Sequence, residues 1–236
     1  MAEDHRLPRP ETRHGLLPKN RAKIPVKKVP FSDRLELWFS TSRRIDGLWI
    51  GGMESKDWPG FGRVESALRL IKDHDPISYS RVTRHLDRIW VRLISNAGAH
   101  YERRSNACVV DERFVLSETV DEIASTIVHE TTHARLEHWG ITYEDEVRRR
   151  IEAICIRRQL NFVGKLSGGE KLREGLSATL SWCFDDHDYF SNMRFQDRHV
   201  QGSIEALRYL GAPAWFVRVV TKLWEYRLAN RTRSLR

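Results

Sequence analysis

Apolar residues along this chain recur mainly with the period of an α-helix, and only a few short runs alternate or stay continuously apolar. Residues 63–73 put Val64, Ala67, Leu68 and Ile71 on one face, and residues 78–86 read as another short helix. Residues 119–139 are apolar around most of the helical circumference, through Ile123, Ala124, Ile127, Val128, Ala134 and Leu136, the mark of a buried helix. Helices are also expected over residues 143–162, 170–182, 197–210 and 214–229. Strand signals are fewer. Leu48-Trp49-Ile50 runs into Gly51-Gly52, residues 88–93 alternate as a half-buried strand, and residues 106–116 read as one strand. Residues 33–39 fit either a helix or a strand, residues 53–61 read as a loop, and residues 96–104 as a turn. The pattern predicts a helix-rich α+β fold with a small antiparallel or mixed sheet.

The ends of the buried helix are legible as well. Thr119-Val120-Asp121-Glu122 has capping-box spacing, and Gly140 is a natural residue to close the helix. Thr142-Tyr143-Glu144-Asp145 offers a second capping box, so a second helix should fold back antiparallel on the first after a short turn. In the last helix Trp215, Phe216, Val219, Val220 and Leu223 share one face. That suits packing on a domain core, or less commonly a membrane surface.

Inside the buried helix stands His129-Glu130-Thr131-Thr132-His133. Histidines four apart on a helix share a face and can hold one Zn²⁺, with the intervening Glu130 beside the water it activates. Ordinary core-facing histidines are the bland alternative. A catalytic zinc needs a third protein ligand and an open position. The metzincin spacing fails, because Leu136 and Trp139 stand where glycine and histidine are required, and His138 is one place off. An antiparallel second helix offers a carboxylate instead. Counting at about 1.5 Å per residue from the turn, the level between His129 and His133 meets residues 151 or 152. Glu152 stands there amid apolar neighbours, whereas Glu144 and Glu146 fall in the first turn, where acidic residues favour the helix dipole.

His129-Glu130-x-x-His133 followed by Glu152 on the next helix resembles the gluzincin arrangement of thermolysin-like and minimal zinc metallopeptidases, over roughly residues 85–163. The resemblance implies a zincin-like domain with Zn²⁺ on His129, His133 and Glu152, Glu130 as the catalytic base, and a peptide or protein substrate. It also implies that the strand before the motif helix lies along the cleft, which makes residues 105–110 a candidate substrate-pairing edge; an ordinary internal strand is the alternative. An oxyanion donor would remain to be supplied, and His187 or Tyr189 in the polar cluster 184–189 are candidates, set against a plain charged turn.

Charge and cysteines change this picture only at its margins. The chain carries 40 Lys and Arg against 32 Asp and Glu, a net charge of +8. Residues 1–30 form a basic, proline-broken segment expected to be a disordered tail, open to contact with nucleic acid or an acidic surface. Residues 31–230 are expected to form one domain with core 85–163 and a helical part 170–230, ahead of a short basic tail at 231–236. No run is apolar enough to span a membrane, no secretory signal is legible, and the expected location is cytoplasmic. Cys108, Cys155 and Cys183 read as reduced core thiols. None has C-x-x-C spacing, which argues against cysteine ligation. Leu166-Ser167-Gly168-Gly169-Glu170 imitates an ATPase signature loop, but no phosphate-binding G-x-x-x-x-G-K-[ST] accompanies it. Two further readings stay open. One is a nucleic-acid-associated protease resembling the SprT-like group, which takes a third histidine downstream; no histidine falls between residues 139 and 186. The other is a non-enzymatic, metal-stabilised interaction module.

Overall fold

The computed structural model describes residues 29–95, 98–185 and 192–233. The basic segment expected over residues 1–30 lies almost wholly outside them, as does the cluster holding His187 and Tyr189. The architecture is a small mixed sheet with helices on both faces. Helix α1 (Phe31–Phe39) leads into a hairpin of β1 (Thr41–Ile45) and β2 (Leu48–Gly52), which turns through Asp46 and Gly47, both with positive φ. Helices α2 (Pro59–His74) and α3 (Pro76–His85) then cross to β3 (Arg88–Arg92), which pairs parallel with β2. After β4 (Ala99–Glu102), strand β5 (Ala107–Asp111) pairs parallel with β3 and antiparallel with β4. The strand order is β1-β2-β3-β5-β4.

Both faces of the sheet are covered, which is why β3 is buried along its middle instead of alternating as the sequence pattern suggests. Ile89, Val91, Cys108 and Val110 face the main core with Phe61, Leu68, Ile71 and Phe162. Trp90, Ala107 and Val109 face the other way and meet Leu37 of α1. Arg92 fastens α1 there through Glu36 at 3.0 Å and Asp33 at 3.7 Å.

Several expectations need correction. The strand expected over residues 106–116 stops at Asp111, whose carboxylate accepts from the Arg113 and Phe114 amides and starts helix α4 (Glu112–Ser117). Asp111 also accepts from the Ile94 amide, so the same side chain pins the strand's neighbour. Residues 59–61, expected in a loop, form the first turn of α2, because Pro59 occupies a position that needs no amide donor. The turn expected over residues 96–104 contains β4, and the hairpin strand β1 had no clear sequence signal. The candidate substrate edge at residues 105–110 is internal, because β5 lies between β3 and β4; among the described residues the free edge on that side is β4.

The remaining helices follow in order: α5 (Val120–His138), α6 (Asp145–Val163), α7 (Glu170–Asp185), α8 (Asn192–Tyr209) and α9 (Ala214–Arg233). Helix α9 runs into the residues expected as a basic tail from 231. It rests on α8 through Val217, Val200 and Ile204. Trp215, Phe216, Val219 and Leu223, the face expected to pack, are 39–65 % exposed. No helix among the described residues is long and apolar enough to cross a membrane.

Candidate metal centre

The centre is built from α5 and α6. Thr119 and Glu122 complete the expected capping box, each side chain bonding the other's backbone amide, a cap worth about 1 kcal/mol. At the other end Ile141 donates to Leu136 and Gly140 to Glu137, with Gly140 at φ +81°, the left-handed closure that turns the chain back sharply. The second capping box does not form. Thr142 Oγ1 donates to Glu144 Oε1 instead, and α6 starts at Asp145 with no side-chain cap. The two helices nevertheless pack antiparallel, with Ser125 opposite Gln159 and Leu136 opposite Ile151.

That register brings the expected residues together. His129 Nε2 and His133 Nε2 are 3.0 Å apart, Glu152 Oε2 is 3.2 Å from His129 Nε2, and Glu152 Oε1 is 3.5 Å from His133 Nε2. A tetrahedral ion with bonds of about 2.0–2.2 Å spaces its ligand atoms roughly 3.3–3.5 Å apart, so these donors suit one small cation. Glu144 and Glu146, the nearer acidic residues, are exposed.

The surrounding groups fix how the donors point. His129 Nδ1 lies 2.8 Å from Gln159 Oε1, and Gln159 Nε2 donates to Ser125 Oγ at 3.1 Å. A Gln amide turned this way receives the Nδ1 proton and leaves Nε2 for the cation. Tyr143 donates its hydroxyl to Glu152 Oε1, and its ring stands edge-on to His133 at 5.3 Å. Sequence reading missed Gln159 and Tyr143. Gln159 alone carried a usable signal, being a polar residue on the apolar face of α6, two turns beyond Glu152.

Glu130 is buried at the cleft wall and accepts a hydrogen bond from the Tyr101 backbone amide. Burial, with Glu152 nearby, raises its carboxyl to about 7, against the pull of His129 and of that amide. Glu152 is held down at about 2, because the hydrogen bond and charge of His129 outweigh its burial. His129 is correspondingly raised to about 9 by Glu152 and Glu130, despite burial. His133, buried beside the charged His129, is lowered to about 4. The four groups thus set one another's proton affinities within one cluster.

A third kind of donor is present. His129, His133 and Cys155 form a group that could hold a metal ion, with their ligand atoms all within 4.8 Å of one another. Cysteine ligation here does not depend on C-x-x-C spacing. Cys155 reaches the centre because it stands three residues after Glu152 on the same helix face. His138 does not join: its Nδ1 lies 2.8 Å from the Ala134 carbonyl, and its ring meets His85 at 5.3 Å.

The centre opens into a cleft of about 640 Å³ between α5, the start of α6 and β4, with Leu136, Ile141 and Ile151 as apolar lining and Arg198 of α8 at its margin. Asp111 N–H donates to Gly98 O, which by antiparallel alternation directs residues 98, 100 and 102 toward β5. Ala99 and Tyr101 therefore turn their backbone groups to the cleft, where the Tyr101 amide meets Glu130. Comparison with protein-family models, curated proteins and solved structures finds no match, so the functional reading rests on the centre itself.

Proposed function

We propose that this protein is a zinc-dependent metallopeptidase of the gluzincin type on a zincin-like domain, acting on peptide or protein substrates. The observation that carries the reading is the convergence of His129, His133 and Glu152 at 3.0–3.5 Å, with a second carboxylate, Glu130, buried at the wall of the same cleft. Zinc on these residues would supply Lewis-acid polarisation of a peptide carbonyl and lower the pKa of a water.

The chain's own residues account for the rest. Glu130, raised toward neutrality, takes a proton from the attacking water and returns it to the leaving amine. Gln159 and Tyr143 orient His129 and Glu152. The free edge of β4 presents Ala99 to an extended peptide by strand addition, and Leu136, Ile141 and Ile151 receive an apolar side chain. The test is a digest of a proteome-derived peptide library by the purified chain. Cleavage should stop on chelation and return with Zn²⁺. An unchanged library with zinc-loaded protein would favour the non-enzymatic module.

A further inference from the structure

We propose that Cys155 is a fourth protein ligand, so that the cation is held by two nitrogens, an oxygen and a sulfur. It rests on the preceding reading only in requiring that a cation binds at His129 and His133; four protein ligands fill a tetrahedral sphere, so hydrolysis at this centre then needs a fifth position for the attacking water.

All three cysteines of the chain are buried, and their placement separates them. Cys108 belongs to the main core, and Cys183 packs on Ala153 and Ile156. Cys155 alone among them is grouped with two imidazoles. It is 0 % exposed and is not among the residues lining the cleft, whereas His129, His133 and Glu152 are. Glu152 thus approaches from the cleft side, where Tyr143 holds its Oε1, and Cys155 from the core side one turn along α6. With zinc–sulfur bonds of about 2.3 Å, a thiolate ligand stands roughly 3.5 Å from its nitrogen neighbours. The Sγ atom lies within 4.8 Å of a nitrogen of each imidazole, so ligand spacing to those two nitrogens is reached by closing about 1.3 Å or less on each.

A sulfur ligand changes what the centre selects. Thiolate favours Zn²⁺, Cd²⁺ and Co²⁺ over Mn²⁺ and Mg²⁺, which carboxylate and water suit better. Binding through Cys155 forms a metal–sulfur bond and releases the thiol proton to solvent.

Cobalt reads the sulfur directly. The full chain, stripped of metal under reducing conditions, is titrated with Co²⁺ while bound cobalt is counted. The expected result is one Co²⁺ per chain with a sulfur-to-cobalt charge-transfer band that saturates at one equivalent. Cys155→Ser should still bind Co²⁺ but lose the band, while Cys108→Ser and Cys183→Ser keep it. One bound Co²⁺ with no band, or a band that survives in Cys155→Ser, overturns the proposal and leaves the metallopeptidase reading standing. Absence of stoichiometric cobalt in the wild-type chain overturns both. Should Cys155→Ser fail to fold, cobalt-edge X-ray absorption of the wild-type chain decides: a sphere containing one sulfur supports the ligand, and a sphere of nitrogen and oxygen alone refutes it.

Discussion

Helix α5 carries histidines into two different pairs, and the pairs differ in everything except their geometry. His129 and His133 stand with ring centroids 4.8 Å apart; His138 meets His85 of α3 at 5.3 Å. The first pair is surrounded by carboxylates. Glu152 bonds it, Glu130 lies beside it, and Gln159 fixes one ring. The second is surrounded by cations. Burial lowers His85, and His138, Arg135, Arg84 and Arg81 lower it further. Proximity of imidazoles alone therefore does not make a cation site. The charge of the flanking residues decides whether bringing a dication between two rings is favourable or repulsive.

The sharpest way to break this comparison is to exchange which pair is damaged. His129→Ala or His133→Ala should remove bound metal almost completely, whereas His85→Ala and His138→Ala should leave metal content per folded chain unchanged. Elemental analysis of the four purified variants checks this. Equal losses in all four would mean that the arginine-flanked pair also binds. A smaller effect is expected one layer out: Gln159→Leu should weaken metal affinity by roughly 10–100-fold with the ligands intact, as measured by competition with a chromophoric chelator. Unchanged affinity would show that His129 needs no partner at Nδ1.

Much of this centre was legible in the sequence because its local geometry is helical. The capping box at Thr119, the left-handed Gly140 and the 1.5 Å rise together place Glu152 opposite His129 before any coordinates are considered. The same logic failed where a contact came from elsewhere in the chain. Asp111 ends β5 by capping α4, and the charged run Asp111-Glu112-Arg113 inside an otherwise largely apolar stretch does not by itself tell a strand end from a polar stretch of one continuous strand. Strand β4 is four residues whose backbone pairing with β5, more than any side-chain pattern, makes it the free edge. For Cys155 the spacing to other cysteines carries no information, and the spacing to Glu152 on one helix does. The exposed face of α9 marks a further boundary: periodicity forecasts a helix, and only a neighbour decides burial.

Both histidine pairs rest on one scaffold, and that shared dependence can be separated from the chemistry. Asp75 caps α3 through the Ser78 amide and pairs with Lys165, just beyond α6, at 2.9 Å. Its carboxyl is lowered despite burial, by Lys165 and Ser78. A depressed folded-state pKa contributes stability that is present above the unfolded value and lost as pH falls through the folded one. Asp75→Ala should therefore lower stability by about 1–3 kcal/mol near neutral pH and by progressively less below pH 3.8, in denaturant titrations at several pH values. Metal bound per folded chain should not change. The smallest effect is on His85 itself. Its ring should titrate below 6.5 by NMR and move upward with added salt as the arginines are screened; a salt-independent value would assign the shift to burial alone.

The central claim is that His129, His133 and Glu152 present a zinc whose chemistry Glu130 completes. Peptide hydrolysis by Glu130→Gln, measured at the same zinc content as the wild-type chain, tests it most directly. The amide is nearly isosteric and cannot accept the proton, so turnover should fall by at least about 10²-fold while zinc remains bound. Wild-type rates in zinc-loaded Glu130→Gln would contradict the account.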